Sequence, residues 1–251
     1  MALVASRRAL LRRTPNIEAL RAHLRSMSGL VRLWMLQEAT GATTAVDATG
    51  GSDGTITGPV PGYAGKLGQS YLFDGVNDTV EIAADATRNR SAVTCIALAK
   101  TNASAATQTI YYEETNGGTG ISPRFRLALN STEFITVAGN PTNAEILASA
   151  TATTGALVPG VWYLLGGEVD YANDAIRAWK NGQLVASNLA AGWTAVATED
   201  LEGDDGPVIG AATNVTAGRR FFWPGNLAVV AVFSRTLSAG EHADIAKKAG
   251  F

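Results

Sequence analysis

Within YLFDGVNDTVEIA, residues 71–83, three oxygen-bearing side chains fall in five positions: Asp74, Asn77 and Asp78. Calcium takes six to eight oxygen ligands, and Asp and Asn supply them. The same residue types close tight turns for backbone reasons alone. The segment therefore reads first as a turn that sets strand register, with calcium as the candidate cofactor of Asp74, Asn77 and Asp78.

A second carboxylate pattern is EVDYAN, residues 168–173. Glu168 and Asp170 are two apart and share one face of a strand. A glycosidase needs one carboxylate to attack and another to donate a proton. The third position here is Asn173, which cannot serve as that donor, so no catalytic residue is assigned and no enzyme is expected. The acidic run EDLEGDD, 199–205, falls between strands and reads as a solvated loop.

Aromatic residues offer a different chemistry. Trp193 in LAAGWTAV and Phe221, Phe222 and Trp223 in RRFFWPG lie near strand ends or loops. Sugars present apolar C–H faces that stack on rings, and polar neighbours fix the hydroxyls. Trp193, Phe222 and Trp223 are the candidate glycan contacts. Arg219 and Arg220, just before the trio, suit a partner contact equally well.

Cysteine and histidine chemistry is set aside by count. The one cysteine, Cys95, sits in the apolar run VTCIALA, and the two histidines, His23 and His242, lie near the termini in helix-like segments. Neither an internal disulfide nor a Cys/His zinc site can form from that set.

The positioning elements follow from hydrophobic period. TPNIEALRAHLRSM, 14–27, predicts a short helix capped by Thr14 with Pro15 in its first turn; Ile17, Leu20, Leu24 and Met27 share one face. From Leu30 the period becomes two. LVRLWML (30–36) reads as a strand, and Gly41 to Gly68 as a long loop. Strands are predicted at 71–74, 79–83, 93–100, 109–115, 124–130, 133–139, 145–154, 161–171, 207–212 and 221–237. A hairpin is predicted over 175–187 around Asn181-Gly182. SAGEHADIAKKAGF closes the chain as a helix, with Ser238 and Glu241 as a capping box and Gly250 as its stop. About a dozen strands and no strand–helix alternation predict an all-β antiparallel two-sheet sandwich with a helix at each end.

Charge divides the chain near Ser28. Residues 1–27 hold six arginines (7, 8, 12, 13, 21 and 25) and one acid, Glu18; the rest holds 14 basic and 21 acidic residues, for a net of −2. Residues 1–27 are read as a basic N-terminal arm and 28–251 as the folded domain. Arginines interrupt every apolar run of the arm, so it is not a secretory signal, and no run is long enough to span a membrane. SRRALLRR could meet phosphates. It has no aromatic residue for base stacking and the body is acidic, so nucleic acid is not the expected partner. Arg7, Arg8, Arg12 and Arg13 with Ile17, Leu20 and Leu24 are expected to anchor a partner chain.

Several blocks resemble a known family. SGLVRLWMLQEATGATTAVDATGGSDGTITG is similar to the opening of a laminin G-like jelly roll of the concanavalin A-like superfamily. KLGQSYLFDGVNDTVEI resembles its FDG block, VWYLLGGEVDYANDAIRAWKNGQLVAS its WYH…D…LYVNGQ block, and PGNLAVVAVFSRTLSAGEHADI its closing strand. The likeness runs over residues 28–250. Many members hold calcium at the sandwich edge. Where relatives often read Ile-Asp-Glu-Val, this chain has Leu227-Ala228-Val229-Val230. The family includes lectins, hydrolases and adhesion domains, so fold alone does not name the activity.

The resulting expectation is a non-enzymatic structural or binding protein. By analogy it is a homo-oligomeric phage virion component, a capsid decoration or tail-associated protein. It would join other virion subunits through the arm and offer the jelly roll to a glycan or surface. The alternative is a free carbohydrate-binding module or lectin, extracellular or on a cell surface.

Overall fold

The computed structural model describes residues 16–87, 90–103, 107–114, 123–130, 135–139, 148–151, 156–191, 206–214 and 218–251. Arg7, Arg8, Arg12, Arg13, Trp193 and the acidic run 199–205 lie outside these residues.

The chain opens with α1 (Ile17–Ser26), then β1 (Leu30–Trp34), β2 (Thr44–Ala45), β3 (Gly54–Thr57) and β4 (Val60–Ala64). There follow β5 (Gln69–Asp74), β6 (Thr79–Ile82), β7 (Ala92–Thr101), β8 (Gln108–Glu114), β9 (Pro123–Leu129), β10 (Ile135–Gly139) and β11 (Ala148–Thr151). Next are β12 (Tyr163–Asp170), β13 (Ala175–Lys180), β14 (Gln183–Asn188), β15 (Val208–Ile209), β16 (Ala212–Asn214), β17 (Gly218–Arg220), β18 (Pro224–Phe233) and α2 (Ala239–Lys248).

Among the described residues the strands form two eight-stranded sheets and one hairpin. The first sheet runs β14-β13-β12-β7-β18-β5-β4, with β1 also paired along β18; the second runs β11-β10-β9-β8-β15-β6-β3-β2; the hairpin is β16-β17. Neighbouring strands pair antiparallel, including the two central contacts β7–β18 and β7–β12. This is the predicted two-sheet sandwich.

Register explains where the core sits. Leu127, Tyr111, Ile209, Val80 and Ile56 stand in one transverse row of the second sheet. That row points inward, and four of its five side chains are buried between the sheets with Trp34, Phe73, Phe125 and Trp223. Shifting one residue along each strand gives the outward row.

The first sheet is apolar on both faces, which is why β7 reads as an almost unbroken hydrophobic run. Val93, Cys95, Ala97 and Ala99 face the second sheet, while Ile96 and Leu98 face the helices. In β18 a register shift between Leu227 and Val229 turns both Ala228 and Val229 to the helix side.

Both helices cover that outer face. Leu20 and Leu24 of α1 and Ile245, Ala246 and Ala249 at α2 are buried there with Phe233 and Leu33. Leu20 and Leu24, expected to grip a partner chain, instead close this chain's own sheet; Ile17 is partly buried beside them. Covering the sheet with each leucine is worth about 2 kcal/mol, so the helix belongs energetically to the sandwich. The cap of α1 is Asn16, whose Oδ1 accepts from Ala19 N at 2.7 Å. The α2 capping box of Ser238 and Glu241 forms as predicted.

The Asn181-Gly182 hairpin forms with φ of 51° and 81°, the left-handed pair that a type I′ turn requires. The stretch predicted as one loop, 41–68, instead contains β2, β3 and β4.

Candidate functional site

Among the described residues, the helices cover the first sheet and no helix covers the outer face of the second. Its outward row is Arg126, Tyr112, Val208, Glu81, Thr55 and Thr44, each the register partner of the next. Thr44, Thr55 and Glu81 are exposed. Tyr112 and Val208 are buried, because β16 and the chain after β17 fold back over them.

That return builds the site. Phe221 O accepts from Thr109 N at 2.8 Å, and Trp223 N donates to Gly210 O at 2.8 Å, so residues 221–223 are pinned to the ends of the central strands β8 and β15. Phe221 and Phe222 pack on Tyr112, Val208, Ala211 and Ala212 while keeping part of their surface exposed. Phe221 holds φ at 56°, a left-handed conformation that is rare for a bulky residue and is held by surrounding contacts.

Two guanidinium groups flank the Phe221 ring: Arg126 Cζ and Arg220 Cζ each lie 5.0 Å from its centroid. Arg126 donates to Thr109 Oγ1 through Nε at 3.2 Å and Nη2 at 3.0 Å. Burial and the like charge of Arg220 push the Arg126 guanidinium down to about 10, against an upward pull from Tyr112. Arg219, next in the hairpin, pairs with Glu81 at 3.3 Å and donates to Thr213 Oγ1.

Trp223, expected on a sugar platform, has no exposed surface and sits in the inter-sheet core, so it has no face to offer a ring. Phe222 alone of the three predicted glycan contacts is described with an accessible side chain. The sequence reading missed Arg126. The alternation in RFRLALN carried the signal, since Phe125, Leu127 and Leu129 point one way and Arg126 the other.

Asp74, Asn77 and Asp78 do come together, as the corner where the chain leaves β5 in one sheet and enters β6 in the other. Asp74 Oδ1 accepts from Val76 N at 2.7 Å and Asn77 N at 3.3 Å, and Asp78 Oδ2 accepts from Asp74 N at 2.7 Å. Burial raises the Asp78 carboxyl above its ordinary value; the bond from Asp74 N opposes this and the Asp74 charge adds to it. Gly58 packs so closely that a Cβ there would clash with Asp78 Oδ1. An open cleft of about 410 Å³ lies alongside, lined by Val60, Leu72, Asp74, Asp78, Asn102 and Pro224. Among the described residues no group of three or more His, Cys, Asp or Glu is gathered for a metal. Each carboxylate commits one oxygen to closing the turn.

Glu168 is directed away from both places. It lies under α2 and accepts from Leu237 N at 2.7 Å and Trp179 Nε1 at 3.0 Å, with His242 Nε2 at 3.1 Å. Asp170 caps its own turn through Asn173 N at 3.1 Å and Asn173 Nδ2 at 2.9 Å. The Cys95 thiol is buried in the core, which raises it far above its ordinary value.

Comparison with solved structures returns lectin-like β sandwiches. A Trypanosoma rangeli sialidase in complex with sialic acid superposes with a TM-score of 0.60 at 13% identity, covering 91% of this chain and 37% of its own. The chain thus spans little more than a third of that sialidase. A Ruminococcus gnavus IT-sialidase CBM40 bound to α2,3-sialyllactose gives a TM-score of 0.51 at 18% identity, covering 62% of this chain and 83% of its own. The receptor binding domain of botulinum neurotoxin C/D mosaic serotype gives 0.62 at 13% identity, covering 87% and 51%. At these identities the likeness is one of fold. No curated protein sequence matches the chain. The family model described as the concanavalin A-like lectin/glucanases superfamily matches residues 74–241, from the β5–β6 corner into α2. The chain belongs to the concanavalin A-like lectin/glucanase superfamily.

Proposed function

We propose that this protein is a non-enzymatic glycan-binding jelly roll whose contact surface is the outer face of the second sheet. The observation that carries this reading is the partly exposed Phe221–Phe222 pair, pinned over that face beside Arg126 and Arg220. An aromatic ring stacks on the apolar face of a sugar while neighbouring polar groups fix its hydroxyls. The Ruminococcus gnavus module bound to sialyllactose supports the reading by showing that a sandwich of this general fold takes an oligosaccharide. Glu168 and Asp170, the pair nearest to a glucanase pattern, are engaged in internal hydrogen bonds under a helix and at a turn. The test is a glycan array with the full chain and with Phe222→Ala. Binding that falls at least ~10-fold in the variant, about 1.4 kcal/mol, supports the reading. No binding to any glycan overturns it.

A finer reading concerns the arm. Its six arginines among residues 1–27 sit beside an acidic body. We infer that the arm docks the jelly roll onto a larger, homo-oligomeric virion assembly. Because α1 is part of the fold, the segment to delete is residues 1–15. The truncated protein is expected to stay folded and to leave its assembly; normal incorporation overturns the reading.

A further inference from the structure

We propose that the site is built for sugars that carry a carboxylate, with Arg126 and Arg220 as its specificity-determining residues. The inference rests on the glycan-binding reading and adds the chemical class of the ligand.

Four observations converge. First, two guanidiniums stand over one ring, at 5.0 Å each, so two positive charges share a small region of surface. Second, neither has a carboxylate partner among the described residues. Arg126 bonds only the neutral Thr109 hydroxyl, and Arg220 Nε is buried with no hydrogen-bond partner. The adjacent Arg219 does have an acid, Glu81, so its charge is matched. Third, burial and Arg220 lower the Arg126 guanidinium to about 10 against an upward pull from Tyr112, so it stays charged at neutral pH beside a second cation. An anion bound beside them would offset the repulsion between the two cations. Fourth, the ring that sets their spacing is held in a left-handed backbone conformation, φ 56°, which persists only where the surroundings dictate it.

A buried donor without an acceptor is costly, and a carboxylate is the acceptor that matches a guanidinium fork in plane and charge. Phe222, the neighbouring partly exposed ring, would supply the apolar wall for the sugar. A sialic acid and a hexuronic acid present this same pairing of ring and carboxylate.

The experiment is calorimetric titration of the full chain at low and moderate salt with sialyllactose, a glucuronate-terminated disaccharide and lactose. At least one acidic sugar is expected to bind ~10-fold or more tightly than lactose. That preference is expected to vanish in Arg126→Gln and Arg220→Gln, and Arg220→Lys should restore only part of it, since it returns charge without the fork. Arg220 lies in the surface hairpin, so Arg220→Gln keeps the test valid should Arg126→Gln fold poorly; thermal melts check both. Lactose binding as tightly as the acidic sugars overturns the specificity while leaving the glycan reading intact. Failure of all three sugars, on a chain that binds no glycan on the array, removes both. Single-stranded DNA binding more tightly than any sugar overturns the proposal in favour of a phosphate site.

Discussion

Glu168 Oε1 lies 3.1 Å from His242 Nε2, joining the centre of β12 to α2 across 74 residues of sequence. The His242 ring also stacks on Trp179 at 3.9 Å between centroids, and Trp179 Nε1 donates to the other Glu168 oxygen at 3.0 Å. With Leu237 N donating at 2.7 Å, one buried carboxylate fastens the C-terminal helix to its sheet.

Glu168→Ala leaves the Trp179 indole, the Leu237 amide and the His242 ring without their acceptor. Removing one member of such a buried set is expected to cost about 3 kcal/mol. Urea unfolding monitored by tryptophan fluorescence measures it. Glycan binding by the folded variant is expected to be unchanged, since the proposed contact face is on the other sheet.

Acid should loosen the same helix by a second route. The bond from Arg235, together with Ser238, holds the Glu241 carboxyl down at about 2, against the opposing effect of burial. A group whose folded value lies below its unfolded one stabilises the fold above the unfolded value and loses that contribution as pH falls. The loss attributable to Glu241 is expected between about pH 4.5 and 2. Melting temperatures of the native chain and Glu241→Gln should differ at pH 7 and converge at pH 2.

Phe222 and Trp223, adjacent in sequence, should part company under mutation. Trp223→Ala empties a fully buried site and is expected to cost about 3–5 kcal/mol. Phe222→Ala removes a partly exposed ring and is expected to cost about 1 kcal/mol, with its main effect on glycan affinity. Paired denaturation and binding measurements separate the two.

The β5–β6 corner should not depend on calcium. EDTA is expected to leave the melting temperature unchanged; a rise of several degrees with millimolar calcium would show a bound ion. Asp78 differs from Glu241 in sign. Its folded value is raised, so its contribution is full below the unfolded value and is lost as pH rises through the folded one. Asp78→Asn keeps an acceptor for Asp74 N and removes a buried charge, so it is expected to be neutral or stabilising by up to about 1 kcal/mol at pH 7. Thermal melts at pH 7 and pH 3 check this.

Where local chemistry decides structure, the sequence was legible. Asn181-Gly182 and Ser238…Glu241 announced a hairpin and a helix start that the structure contains. Alternation placed β7, β9 and β12 close to their true bounds. The hidden elements were those decided at long range. β2, β3 and β4 are short and interrupted by Gly and Pro, and they exist because β6 and β5 offer edges to pair with. DGVND read correctly as a turn, but nothing within five residues says that its two strands belong to different sheets. Trp223 looked like a loop aromatic because its burial is imposed by Gly210 and the return of the hairpin, which no local pattern encodes. Arg126 stood out less than RRFFWP because one arginine in an alternating strand is ordinary; only the fold brings Arg220 to the same ring.

The helical layer gives the molecule a front and a back. Asn16, which begins α1, and Phe251, whose amide bonds Ala246 O at 2.9 Å and whose ring lies 4.3 Å from Lys66 Nζ, both belong to the back. A partner that gripped these two residues would therefore hold the rear of the described fold. Several copies held by their backs would point the same arginine-flanked rings outward together, and weak single contacts would sum into strong avidity for a sugar-coated surface.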